Sequence, residues 1–179
     1  MLFRSAPRAY LPTLSIAALL AACTPSASPP LPPSPPTAPP PIVQPHSIDA
    51  ADWRDVPLAP GAWHYLDSRQ SSAARYGLDG TAPIIVVRCD KVRRQVMIML
   101  AGSAQQLSIF TSSGGEHFAA GRADEGGVAM TGATFAANDP LLDRLAFSRG
   151  RFALAAPGLA QVVVPAWAEP ARTIEDCRK

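Results

Sequence analysis

The stretch Ser112-Ser113-Gly114-Gly115-Glu116-His117 sets hydroxyls, a carboxylate and an imidazole side by side in the chain. These are the groups of a nucleophilic hydrolase, which needs serine, histidine and acid brought together with defined geometry. No GxSxG elbow frames the serines, and neighbours on one glycine-rich loop cannot all converge on one reacting carbon. The stretch therefore reads as a hairpin turn, with Ser113 and His117 kept as candidate ligand-binding residues. A second cluster is Phe147-Ser148-Arg149-Gly150-Arg151-Phe152. Two guanidinium groups around a glycine match a carboxylate or phosphate in bidentate fashion, which makes Arg149 and Arg151 the second candidate pair. The favoured reading is structural: a helix-to-strand turn in which Gly150 takes an unusual backbone angle, both phenylalanines enter the core, and the arginines pair with acids such as Asp143 or Glu175.

Other chemistry-bearing residues are less suggestive. Asp124-Glu125 and Glu175-Asp176 lie beside turn and helix-end signals, so they are expected on solvated faces rather than as the carboxylate pair of a glycosidase. His46, His64 and His117 are far apart, and no HExxH or CxxC spacing puts ligands on one face. Neither a metal nor a cofactor is expected, and the domain reads as non-enzymatic.

The elements that must position these residues are mostly strands. Trp63 to Leu66 follows the turn signal Pro60-Gly61, and Ala73 to Tyr76 precedes Gly77 and Gly80. Pro83 to Cys89 is a β-branched run of buried-strand length. Val92 to Leu100 alternates Val96, Ile98 and Leu100 with Met97 and Met99, so both faces are expected to be covered. Gln106 to Thr111 continues the pattern, and weaker segments surround Phe118 and Val128. Asn138-Asp139-Pro140 puts a capping side chain before a proline suited to a first helical turn, followed by Leu141, Leu142, Leu145 and Ala146 at helical spacing. Arg151 to Ala156 and Gln161 to Val164 form a strand pair turned at Pro157-Gly158, and Pro170 to Cys177 forms a last helix. The expected fold is mainly β: a small antiparallel barrel-like or sandwich domain with two short peripheral helices.

Residues 1–22 have the order of an export signal. Arg4 and Arg8 supply a positive start and Leu11 to Ala22 an apolar stretch, well short of the ~20 apolar residues needed to span a bilayer. From Thr24 to Pro45 the chain is rich in proline and uncharged, which predicts an extended polyproline II tether. At ~3.1 Å per residue it would reach on the order of 70 Å. Residues 48–179 then make one globular domain, long enough for a single core. Without Arg4 and Arg8, the 14 remaining basic residues balance 14 acidic ones. With no polybasic run, nucleic acid is not an expected partner. Export also bears on Cys89 and Cys177: in an oxidising compartment an even pair within one domain predicts a disulfide.

Leu20-Ala21-Ala22-Cys23 resembles the lipobox of bacterial lipoproteins. The resemblance implies that Cys23 becomes the lipidated N-terminus, that residues 23–47 are the lipidated cysteine and linker, and that the membrane is a partner through the lipid. Thr24 stands where an Asp would signal inner-membrane retention, implying the periplasmic face of the outer membrane. From Trp53 to Cys177 the chain is similar to uncharacterised lipoproteins of sphingomonad-type alphaproteobacteria. Asp52 to Leu58, Val87-Arg88-Cys89-Asp90, Asp139 to Asp143, Phe147 to Phe152, Pro165-Ala166-Trp167 and Ile174 to Arg178 carry that similarity. It implies no activity. Ser113-Gly114-Gly115-Glu116-His117-Phe118 is also similar in position to the Ser-Gly-x-x-Tyr loop of membrane-bound inhibitors of C-type lysozyme, although the aromatic here is Phe and one residue later. The expected role is thus binding or support of an envelope component, and the alternative is inhibition of a cell-wall hydrolase.

Overall fold

The computed structural model describes residues 52–79 and 81–179. The signal segment, Cys23, the proline-rich tether and His46 lie outside the described residues. Ten strands form two antiparallel sheets: β1 Ala62–Asp67, β2 Ser71–Gly77, β3 Ile85–Asp90, β4 Gln95–Ala101, β5 Gln106–Thr111, β6 Gly114–Ala119, β7 Gly121–Glu125, β8 Val128–Ala136, β9 Arg151–Ala155 and β10 Val162–Pro165. Two helices, α1 Pro140–Ala146 and α2 Ala168–Asp176, and a 3₁₀ turn at Asp52–Arg54 complete the described elements. The six-stranded sheet runs β1-β2-β3-β4-β8-β7 and the four-stranded sheet β10-β9-β5-β6. Neither closes into a barrel, and the domain is a two-sheet sandwich.

The main core follows from period two. Trp63, Tyr76, Ile85, Val87, Val96, Ile98, Leu100, Leu107, Ile109, Phe152 and Leu154 alternate inward from both sheets and pack with Leu142 of α1 and Ile174 of α2. Trp63 ties the sheets together, its indole N–H donating to the Pro165 carbonyl over 2.8 Å. The Asp139 carboxylate caps α1 by accepting from the Leu141 amide at 2.8 Å, the predicted cap. Gly61, at φ +138°, leaves no room for a side chain: a Cβ there would stand 2.6 Å from the Gly77 carbonyl oxygen. Tyr76 fixes the same corner by donating to the Ala59 carbonyl at 2.7 Å.

The C-terminal helix is held from several sides. Cys89 on β3 and Cys177 just after α2 stand at bonding distance, with Cα atoms 5.5 Å apart. Arg178 pairs with Asp143 at 2.8 Å and Glu175 at 2.9 Å, joining α2 to α1. Asp176 accepts from Tyr65 and Lys179. Burial pushes its carboxyl up, but these hydrogen bonds outweigh burial and hold it below the usual carboxylate range.

Both sheets also carry something on their outer faces. Trp53 lies on the outside of the four-stranded sheet, 2% exposed, packed with Phe110, Ala153, Ala155 and Val163. Gly115 makes room there, since a Cβ would meet the Phe110 ring at 2.4 Å. On the six-stranded sheet, Ala73, Val86, Met99 and Met130 form a second buried cluster, joined by Met97 and Ala123. Met97 and Met99 thus cover the second face of β4, as expected.

Candidate functional site: two arginines on a buried glutamate

The outer cluster of the six-stranded sheet explains the most distinctive polar arrangement in the domain. Arg75 on β2 and Arg88 on β3 sit mid-strand on the outer face, on the same side as Val86 and Met97 by register. Glu125 ends β7 at the far edge, three strands from β3 and four from β2. In a flat sheet, strand spacing of about 4.8 Å would keep these residues well apart. Yet both guanidinium groups contact the Glu125 carboxylate. The sheet must therefore curl its β7–β8 end over the outer face, enclosing the Met99 and Met130 cluster. Gly132, opposite Met99 and Gly121, sits where a Cβ would come within 3.4 Å of Met97, Met99 and Ala123, so its lack of a side chain permits the close approach.

The burial of the three partners is unequal. The Glu125 side chain is 1% exposed, whereas those of Arg75 and Arg88 are 40% and 38% exposed. One carboxylate is thus sealed beneath two cations that keep part of their donor sets open. Burial pulls the Arg88 guanidinium below its usual value, and the like charge of Arg75 adds to that shift while Asp124 opposes it. Arg75 Nε is closed off from water without a hydrogen-bond partner, and Glu125 Oε1 touches Arg75 without hydrogen-bond alignment.

These cations border open space. A concavity of about 530 Å³ is lined by Leu66, Gln70, Ser71, Arg75, Arg88 and Glu125, among others. A second, of about 280 Å³, shares Leu66 and Arg75 and is bounded by His64, Tyr76 and Leu78. Leu66, 45% exposed, stands in both linings. Such an arrangement can grip an oxyanion through paired guanidinium forks.

The residues singled out in the sequence lie elsewhere. Ser113 belongs to the tight β5–β6 turn, and His117 lies exposed on β6, a strand paired along its length with β5. The Ser113 to Phe118 segment is therefore mostly strand rather than a protruding loop. The His117 Nδ1 atom is 2.7 Å from Ser108 Oγ, its cross-strand partner, while the adjacent Glu116 is engaged by Arg144. That pairing satisfies a largely buried hydroxyl and assembles no triad.

Arg151 serves the scaffold, by a different route from the one expected. Arg151 donates to the carbonyls of Arg54 at 3.0 Å and Val56 at 3.2 Å, strapping the Trp53 segment onto the four-stranded sheet. The acids Asp143 and Glu175 are taken by Arg178 instead. Arg149 is exposed, and its amide donates to Ser112 Oγ at 3.0 Å. Gly150 has φ +75°, as the turn reading requires. Phe152 is fully buried, but Phe147 is 77% exposed. It caps the C-terminus of α1, where the chain turns away from the core before β9 resumes. Arg151→Ala should cost about 1–2 kcal/mol through lost charge-assisted hydrogen bonds, and Arg149→Ala should stay within about 0.5 kcal/mol. Urea unfolding of the two single variants reads this difference directly.

Glu125 is the main correction. It was expected on a solvated face, and so was Asp176, which is only 9% exposed. Arg75 and Arg88 carried the available signal: a charge in the middle of a strand with apolar neighbours must find a partner if that strand is buried. Among the described residues, no group of three or more His, Cys, Asp or Glu side chains forms a metal site, and no helix is long and apolar enough to cross a membrane. No family model, curated protein or solved structure matches the chain.

Proposed function

We propose that this protein is a non-enzymatic lipoprotein of the cell envelope, anchored through Cys23 at the periplasmic face of the outer membrane and presenting a binding domain on a proline-rich tether. The observation that carries the binding reading is the buried Glu125 with two half-exposed arginines at the edge of an open concavity. That geometry supports recognition of an anionic group by the two guanidinium forks. The pairing of Cys89 with Cys177 fits an oxidising compartment. Trp53 and the concavity occupy the outer faces of different sheets.

The anchor is tested by Cys23→Ser. The variant should leave the membrane fraction and appear among soluble periplasmic proteins, because no other cysteine follows the small residues Ala21 and Ala22. A Cys23→Ser protein that stays with the membrane after a high-salt wash would contradict the lipid anchor.

A further inference from the structure

We infer that the concavity beside Arg75 and Arg88 binds an anionic saccharide unit, its carboxylate or phosphate group held between the two guanidinium groups and its hydroxyls by the polar rim. This rests on the binding-module reading above and names the ligand class for it. Two cations share a single sealed carboxylate, so the Arg75–Arg88–Glu125 cluster itself is net positive beside the opening, offset in part by Asp124 acting on Arg88. Each guanidinium has five N–H donors in a planar fork, and contact with Glu125 occupies only part of them. The buried Glu125 cannot be displaced easily into water, and it fixes the two forks in place; the oxyanion bridges them from the solvent side.

The rim selects what carries the anion. Gln70 and Ser71 line the same concavity with amide and hydroxyl groups that exchange hydrogen bonds with sugar hydroxyls, and the exposed Leu66 offers an apolar surface to a ring face. A volume of about 530 Å³ falls within the range of small-molecule sites, about 300–1,000 Å³. Asp67 and Asp90 also line it, but Lys91 and Arg93 respectively neutralise them. They leave the Arg75–Arg88 pair as the local excess of charge.

The test is calorimetric titration of the purified full chain with digalacturonate, glucose 6-phosphate, neutral cellobiose and inorganic phosphate. Digalacturonate or glucose 6-phosphate should bind at least about tenfold more tightly than cellobiose, since charge-assisted bidentate bonds are the strong ones. The response of each separates a carboxylate from a phosphate source. Arg75→Lys with Arg88→Lys keeps the charge and the pairing with Glu125 but removes the forks, and should weaken binding by about tenfold while the protein stays folded. Unchanged affinity in the lysine variant would overturn the site. Inorganic phosphate binding as tightly as the sugars would overturn the saccharide assignment. Cellobiose binding equally well would overturn the anionic one while leaving a binding module standing.

Discussion

Removing the disulfide, by Cys89→Ala with Cys177→Ala, should lower the unfolding free energy by about 4–5 kcal/mol, read as a fall in the urea midpoint. The two residues are 88 apart in sequence, and loop-closure entropy for a loop of that length gives this size of effect in the unfolded chain. The folded state loses less, because α2 has other ties: Ile174 in the core, Arg178 on Asp143, and Asp176 under Tyr65. The variant should therefore fold to the same structure and unfold sooner. Both sulfurs are almost fully buried, so dithiothreitol should act on the wild type slowly in native buffer and quickly in urea. A double-alanine variant with an unchanged midpoint would show that no bond forms between these cysteines.

The sequence makes the strands and helix starts legible for a local reason. Alternation of apolar residues marks β4 and β5, and Asp139-Pro140 marks the start of α1, because each signal acts over a few neighbouring residues. The curl of the six-stranded sheet has no such local mark. Glu125 precedes Gly126-Gly127, so it reads as a turn acid, and it is buried only because the β7–β8 end folds over toward residues many positions earlier in the chain. Arg88 within Ile85 to Cys89, and Arg75 between Ala74 and Tyr76, announce that a partner is needed without saying which acid supplies it. Arg151 shows the same limit, since its partners are two backbone carbonyls that carry no sequence signature. Phe147 illustrates the converse. Apolar character made it a core candidate, but its place at the C-cap of α1 turned it outward.

The second large effect concerns what the triad does for stability. Replacing Arg75 and Arg88 together by Met, with Glu125 kept, should cost about 3–5 kcal/mol, because a carboxylate sealed from water would lose both counter-ions. Adding Glu125→Leu to that variant should return most of the loss, since three apolar side chains can extend the Met99 and Met130 cluster and buried ionic triads are often no more stabilising than apolar replacements. Urea midpoints of the wild type, the double and the triple variant measure both steps, and a triple variant as unstable as the double would show that the charges themselves hold the curled sheet. The opposite outcome bears on function. Arg75 and Arg88 keep two-fifths of their side-chain surface exposed, a poor design for a cluster whose purpose is to close a core. If apolar residues support the fold equally well, stability does not account for the two cations at the opening, and the titrations of the concavity decide whether binding does.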